Sequence, residues 1–176
     1  MLIDLTYVLS QDGNTQEETV ALDMTHFRKS KGEFYKLADK SPVQVSIHHE
    51  KDQVITITGQ CRVSLQVNCA RCLKPVRKDL ELIFTHRVDV LHPGEDEDEL
   101  EMSLCIGDGK MLDVDQLVHN EILINLPIRV LCKEDCKGIC PVCGQNLNEG
   151  ACSCDQGPAD PRMAAFQEIF SKFKEV

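Results

Sequence analysis

The stretch Ile55-Thr-Ile-Thr-Gly-Gln-Cys-Arg-Val-Ser-Leu-Gln-Val-Asn-Cys69 decides the fold of the first part of the chain. Its odd-numbered positions are apolar, apart from a glycine at position 59, and its even-numbered positions are polar. Side chains alternate between the two faces of a β-strand, so this pattern predicts one long strand with one buried face.

Similar alternation on both sides of this stretch predicts an antiparallel meander. A strand with Val43, Val45 and Ile47 precedes it across a short polar link at residues 50–52, which favours a hairpin. A second long strand follows, with apolar residues Leu80, Leu82, Phe84, Val88 and Val90. The turn between the long strands, residues 68–75, carries two cysteines. Nearer the start we expect a weaker strand at 19–22 and an opening strand formed by Ile3, Leu5, Tyr7 and Leu9.

Two helices are predicted after the sheet. Asp113 is the expected N-cap of the first, and Pro127 ends it; its apolar face contains Val114, Leu117, Val118 and Ile122. A short strand at 100–106 precedes this helix. The second helix begins at Asp160-Pro161 and carries an apolar stripe of Met163, Phe166, Phe170 and Phe173.

These elements predict an α+β fold. An antiparallel meandering sheet or partly open barrel is followed by a helix, a cysteine-rich zinc lobe and a C-terminal helix. We expect residues 1–126 to form the β-rich domain with its following helix, and residues 127–176 to form the zinc lobe and terminal helix.

The chain contains ten cysteines in 176 residues. It begins without the basic leader of a secretory signal, and it has no apolar run of the length that a membrane span needs. We therefore expect a cytoplasmic protein without a membrane partner. In a reducing compartment, clustered cysteines indicate metal binding more than disulfides.

The strongest local signal is Cys140-Pro-Val-Cys143-Gly, followed by Cys152-Ser-Cys154. A Cys-x-x-Cys turn brings two sulfurs to one ion, and the glycine permits the positive φ that lets backbone amides approach the thiolates. Four thiolates at this spacing predict a structural, tetrahedral zinc site.

Two further cysteine pairs, Cys69-x2-Cys72 and Cys132-x3-Cys136, each lack the four ligands that structural zinc requires. Together they favour a second zinc site that joins segments about sixty residues apart. Two alternatives remain at this point: Cys132 and Cys136 are local thiols, or they exchange places with Cys152 or Cys154. Of the remaining two cysteines, we expect Cys61 to lie on the buried face of its strand and Cys105 to be half exposed.

The formal net charge of −10 is unevenly distributed. Residues 88–125 contain eleven acidic residues and one basic residue, whereas residues 62–87 contain six basic residues and two acidic ones. Four basic residues around the turn at 68–75 are our candidates for contacts with RNA phosphates: Arg71, Lys74, Arg77 and Lys78. The alternative is a charged rim that serves only solubility.

Two other segments allow an interaction. Residues 26–40 combine five basic residues with three aromatic ones, which is compatible with an RNA-facing segment or with a surface segment whose aromatic residues anchor the core. Residues 95–101 form an acidic run, which is either a solvated loop or a docking site for a basic partner.

Three stretches, Asn68-Cys-Ala-Arg-Cys-Leu73, Leu117-Val-His-Asn-Glu-Ile-Leu-Ile-Asn-Leu-Pro127 and Cys136-Lys-Gly-Ile-Cys-Pro-Val-Cys-Gly-Gln-Asn-Leu147, with Asp160-Pro-Arg162 beyond them, resemble the bacterial YceD family. The likeness covers nearly the whole chain. The family is linked to accumulation of large-subunit ribosomal RNA, and its genes commonly lie beside one for a large-subunit ribosomal protein. The resemblance therefore implies a ribosome-assembly or rRNA-processing factor.

The part shared with the family corresponds to Cys69, Arg71, Cys72 and the helix at 113–126. Some relatives lack the cluster at 140–154, which implies that this cluster is a stabilising elaboration. No catalytic residue comes with the resemblance.

Our leading hypothesis is a non-enzymatic zinc-binding factor that binds precursor rRNA or an assembling particle. One alternative is an adaptor that docks a basic ribosomal protein through residues 95–101. Another is an iron–sulfur enzyme, since Cys136-x3-Cys140-x2-Cys143 matches the spacing of radical enzymes that cleave S-adenosylmethionine. Only thirty-three residues follow Cys143, which is too few to build the barrel such enzymes need.

Overall fold

The computed structural model describes residues 1–29, 32–51, 54–90, 105–107 and 110–154. By their contacts they belong to two compact units, Met1–Ala70 with Lys74–Cys132, and Arg71–Leu73 with Lys133–Val176. The domain boundary predicted between residues 126 and 127 stays a prediction. The acidic run at 95–101 and the predicted terminal helix from Asp160 lie outside the described residues.

All strand pairs in the described part of the chain are antiparallel. The strands are β1 (Leu2–Asp4), β2 (Thr15–Val20), β3 (His26–Lys29), β4 (Glu33–Lys40), β5 (Val43–His49), β6 (Val54–Asn68), β7 (Pro75–Asp89), β8 (Ile106–Gly107) and β9 (Met111–Asp113). The helices are α1 (Thr6–Leu9) and α2 (Val114–Asn125). The α+β class and the antiparallel sheet are confirmed.

Strand β6 is the centre of a six-stranded sheet. On one side β7 pairs with it along its whole length, from Val54↔Asp89 to Asn68↔Pro75. On the other side β5 pairs with its first half and β4 with its second half. Strands β2 and β3 lie outside β5 and β4, so the sheet formed by the described strands is open and is not a closed barrel. A separate three-stranded sheet has the order β1-β9-β8.

The core lies against the apolar face of β6. Ile55, Ile57, Val63 and Leu65 are each at most 1% exposed, and full burial of such a side chain contributes about 1.5–3 kcal/mol. Gly59 interrupts the apolar series because the ring of its cross-strand partner Phe84 packs on its backbone. A Cβ at position 59 would overlap the Cζ atom of that ring.

Helix α2 follows the prediction closely. The Asp113 carboxylate caps it by accepting hydrogen bonds from the amides of Asp115 and Gln116, at 3.0 and 3.2 Å. Leu126 is extended, as expected for the residue before a proline. The predicted apolar face is buried: Val114, Leu117, Val118 and Ile122 are fully inaccessible. In the described residues, no helix has the length and apolarity that crossing a membrane requires.

Two expectations were wrong. The opening strand predicted over residues 3–9 ends at Asp4, because the Asp4 carboxylate accepts a hydrogen bond from the Thr6 amide at 2.8 Å and turns the chain. Helix α1 follows, and both Val8 within it and its N-cap residue Leu5 are buried. Cys105, predicted to be half exposed, is fully buried. Its carbonyl accepts from the Asp113 amide at 2.7 Å, which holds this residue beneath the start of α2.

The remaining strand predictions agree with the structure where it describes them. The weaker strand expected at 19–22 corresponds to β2, which begins earlier and ends at Val20, so only its first two residues are in the strand. Cys61 is buried on β6, as predicted. Of the strand predicted at 100–106, Ile106 belongs to β8 and residues 100–104 lie outside the described ranges.

Candidate metal centres and basic surface

The structure brings eight cysteine sulfurs together in two groups of four. The first group, which we call the inner cluster, contains Cys69, Cys72, Cys132 and Cys136. The second, the outer cluster, contains Cys140, Cys143, Cys152 and Cys154. Within each group all four sulfurs lie within 4.8 Å of one another. Four sulfurs bound tetrahedrally to zinc at about 2.3 Å would be about 3.8 Å apart, so both groups are compatible with a zinc ion.

The outer cluster is built by a short, self-contained turn. The Cys140 amide donates to the Gln145 carbonyl at 2.8 Å, and the Gly144 amide donates to the Cys140 carbonyl at 2.9 Å. Gly144 has a φ of 74°, in the region that favours glycine. These bonds fold residues 140–145 so that Cys140 and Cys143 present their sulfurs to the same point.

The electrostatics of the outer cluster favour a cation. Hydrogen bonds from the backbone amides of Cys143 and Val142 lower the pKa of the Cys140 thiol to about 6. The pKa of the Cys154 thiol is instead raised to about 12 by its hydrogen bond with Cys143 and by burial. Four thiolates at this distance repel one another, and a divalent ion supplies the compensating charge that lets them all ionise.

The inner cluster begins at the end of β6. The Cys69 amide donates to the Lys74 carbonyl at 2.9 Å, and the Ala70 amide donates to the Val130 carbonyl at 2.8 Å. The Cys69 sulfur accepts a hydrogen bond from the Cys132 amide at 3.4 Å. Cys69, Cys72 and Cys136 are buried and Cys132 is half-buried, so this cluster is much less accessible than the outer one.

Asn148 is a residue that sequence reasoning missed. Its side-chain amide donates to the Cys136 sulfur at 3.3 Å, and its carboxamide oxygen accepts from the Lys137 amide at 2.9 Å. Donation to a thiolate stabilises its charge and orients it. Spacing gives no signal for such a contact, because Asn148 stands among other polar residues in residues 145–149.

Arg71, predicted to contact RNA, has a structural contact. Its Nη1 atom donates to the Cys136 carbonyl at 2.9 Å. Gly138, with a φ of 79°, lies so close that a Cβ there would be 3.2 Å from the Arg71 carbonyl oxygen. The Arg71 side chain therefore supports the loop that carries Cys136.

The other three predicted RNA contacts have different surroundings. Lys74 is exposed in the turn before β7. Arg77 donates to the Asp79 carboxylate at 2.9 Å and to the Ser64 hydroxyl at 2.8 Å, and its Nη2 atom lies 3.4 Å from Asp39. Lys78 follows Arg77 in the strand, so it points to the opposite face and is half-buried. Arg77 and Lys78 therefore lie on opposite faces of the sheet.

Comparison with known proteins gives the family. Residues 57–170, more than half of the chain, match the family described as large ribosomal RNA subunit accumulation protein YceD. The chain belongs to the YceD family. The resemblance stated from sequence is thereby confirmed, and the family's description concerns rRNA accumulation.

Two kinds of relative are similar to this YceD protein. An uncharacterized protein of Mycobacterium tuberculosis is 29% identical over 116 residues, which cover 65% of this chain and 55% of the relative. An Arabidopsis thaliana protein named large ribosomal RNA subunit accumulation protein YCED homolog 1, chloroplastic, is 26% identical over 69% of this chain and 46% of its own length. The chain spans about half the length of these relatives. No solved structure matches it.

Proposed function

We propose that this YceD protein is a non-enzymatic, cytoplasmic factor that supports accumulation of large-subunit rRNA by binding precursor rRNA or an assembling ribosomal particle. The observation that carries the proposal is that the turn at 69–72 supplies two sulfurs of the inner cluster and that the exposed Lys74 lies two residues after it. A bound metal ion would fix this turn and hold its basic residues in register.

We infer that both clusters hold zinc and that the ions are structural. Four thiolates complete a tetrahedral sphere, so no position is open for a water molecule or a substrate. Elemental analysis of protein purified without added metal should give about two zinc ions per chain. A brown protein that contains iron and acid-labile sulfide would instead support an iron–sulfur enzyme.

Charge reversal separates RNA contacts from structural ones. We expect Lys74→Glu to reduce association with rRNA in cells strongly while leaving the circular dichroism spectrum unchanged, because Lys74 is exposed. Lys78 is unsuitable for this test, because it is half-buried and its strand partner Leu65 belongs to the core. Arg71 and Arg77 are poor sites for this test, because reversal would break the bond to the Cys136 carbonyl or add a third acid beside Asp39 and Asp79.

Lys51→Glu is the matched control for charge reversal. Lys51 is exposed in the link between β5 and β6, at the opposite end of β6 from Lys74. The control should retain rRNA association. Association that survives in Lys74→Glu as well would contradict RNA binding through the turn.

A second candidate is supported by the acidic run at 95–101, which contains six acidic residues in seven positions. In this case the protein is an adaptor that docks a basic large-subunit ribosomal protein. Copurification of that protein after nuclease treatment, lost at high salt, would favour the adaptor over direct RNA binding.

A further inference from the structure

We propose that one end of the outer face of the main sheet binds single-stranded RNA, with an unpaired base stacked on the ring of Phe34. The inference rests on the proposed function and names a surface and a class of RNA for it. We call this surface the hairpin face, and it consists of His26, Arg28, Phe34, Lys36, Gln66, Asn68, Pro75 and Arg77.

Strand register places these eight residues together. His26 pairs with Lys36, Lys36 with Gln66, and Gln66 with Arg77, which gives one row across β3, β4, β6 and β7. The pairs Arg28↔Phe34 and Asn68↔Pro75 lie one alternation further along the same strands. Directly paired residues share a face of a sheet, as do residues two apart in a strand.

The hairpin face is turned to solvent. All eight of its residues are exposed. The opposite side of the same strands carries Phe27, Leu37 and Leu65, which are at most 8% exposed and belong to the core. The consecutive residues Phe34 and Tyr35 therefore lie on opposite faces of the sheet. Tyr35 stacks on Phe27 at a centroid distance of 6.3 Å, whereas Phe34 faces outward.

Charge makes this face suited to a polyanion. None of its eight residues is acidic and three carry a full positive charge, in a chain whose formal net charge is −10. Lys74 precedes Pro75 and adds a further cation at the edge. Asp79 and Asp39 lie 2.9 and 3.4 Å from Arg77 and compensate its charge, so the positive field of the face comes mainly from Arg28 and Lys36. Salt screens surface charges beyond about 8 Å, so more distant acidic residues do not cancel that field.

Phe34 supplies the feature that distinguishes single strands from duplex. Its side chain is 63% exposed, and the Arg28 guanidinium carbon lies 5.7 Å from the ring centroid. An exposed aromatic ring beside a cation is the arrangement on which unpaired bases stack while the cation meets the backbone phosphate. In a duplex the faces of the bases are covered by their neighbours, so the ring has nothing to stack against.

Binding to a labelled twelve-nucleotide oligouridine and to a twelve-base-pair RNA duplex tests the proposal by fluorescence anisotropy of the full chain. We expect Phe34→Leu to weaken oligouridine binding about tenfold, because the leucine keeps an apolar side chain but removes the ring. Phe34→Tyr keeps the ring and should bind like the parent. Lys36→Gln should lower the slope of log affinity against log salt by about one phosphate contact.

Ile83→Ala is the matched control for the apolar substitution. Ile83 is 74% exposed and lies in β7 on the same face of the sheet, six residues beyond Arg77. It should leave oligouridine binding unchanged, and circular dichroism should show each variant folded.

The outcomes separate this inference from the proposed function. If Phe34→Leu binds oligouridine as the parent does, while Lys74→Glu reduces rRNA association in cells, the hairpin face is excluded and RNA binding stands. Equal losses for oligouridine and duplex would exclude base stacking. A parent protein that binds neither RNA would overturn the hairpin-face proposal alone, because the proposed function is tested separately by rRNA association in cells.

Discussion

The turns at 69–72 and 140–143 have the same local geometry in two different surroundings. In each, two cysteines are separated by two residues, and the next residue has a positive φ: 61° at Leu73 and 74° at Gly144. The first turn joins two fifteen-residue strands and its cysteines are buried. The second is held by short-range hydrogen bonds within residues 138–149, and Cys143 is exposed.

The difference shows that two properties of such a turn have separate origins. Its backbone conformation follows from presenting two sulfurs to one point, since the same φ is adopted by leucine and by glycine. The accessibility of its sulfurs depends on what surrounds the turn. We therefore expect the inner cluster to be coupled to folding of the sheet, and the outer cluster to stabilise mainly its own loop.

Replacing one cysteine in each cluster should give the largest contrast. Cys69→Ser should remove one metal equivalent and lower the free energy of unfolding by at least about 4 kcal/mol, because loss of a metal from a buried site is among the most damaging substitutions. Cys143→Ser should also remove one equivalent, but amide hydrogen exchange in β6 and β7 should be unchanged. Rapid exchange in both strands of the Cys143 variant would contradict the proposed independence.

Chelation should remove the two metal ions at different rates. We expect a metallochromic chelator to take up the first ion at least about tenfold faster than the second, because protection from exchange rises with burial and local stability. The fast phase should be missing in Cys143→Ser. A single phase, or loss of the slow phase in that variant, would show that accessibility does not control release.

The residues that follow the second cysteine of each turn, Leu73 and Gly144, allow two substitutions with opposite expected effects on stability. Gly144→Ala should destabilise the protein by about 1 kcal/mol, because an L-residue is strained at positive φ. No atom lies within 4 Å of the added Cβ, so crowding does not contribute. Leu73→Gly should be neutral or stabilising by up to about 1 kcal/mol, since Leu73 is 61% exposed and loses little burial.

Gly150→Ala is the control for this pair. Gly150 has an ordinary φ, and its added Cβ would meet the Gln145 side chain at 3.8 Å, which is a normal contact. Thermal unfolding of the three variants measures the differences. Equal destabilisation by Gly144→Ala and Gly150→Ala would show that the positive φ is not the cause.

Periodicity was sufficient for the parts of the fold with one buried face. Strand β6 and helix α2 are predictable because the apolar residues of each recur at a fixed interval that places them on one buried face. In β6, a shift of one residue in the register would expose those side chains. Periodicity did not predict the structure of residues 3–9 correctly. The positions of Leu5 and Val8 fit a helical turn as well as a strand, and the contact that decides between them is the hydrogen bond from the Thr6 amide to the Asp4 carboxylate. Period two alone cannot detect such a turn.

The candidate site was predictable to a smaller extent. Cysteine spacing identifies each turn, because two ligands three residues apart depend only on local backbone. The approach of Cys132 to Cys69, and the contacts of Arg71 and Asn148 with the loop at Cys136, depend on tertiary packing. The sequence therefore indicated which residues carry sulfur or charge, but not which of the basic residues support the cluster.

The smallest expected effect concerns Arg71 in the first turn, which is predicted from the sequence to contact RNA and which donates to the Cys136 carbonyl in the structure. Arg71→Lys keeps the positive charge but loses the planar donor that reaches the Cys136 carbonyl, so stability should fall by about 0.5–1 kcal/mol while RNA affinity is unchanged. Arg62→Lys, at a side chain that is 79% exposed and paired with Glu81, should change neither. Thermal unfolding and anisotropy on the same samples measure both quantities. A loss of RNA affinity with unchanged stability would assign Arg71 to the RNA, because only a direct phosphate contact distinguishes the guanidinium from the ammonium without affecting the fold.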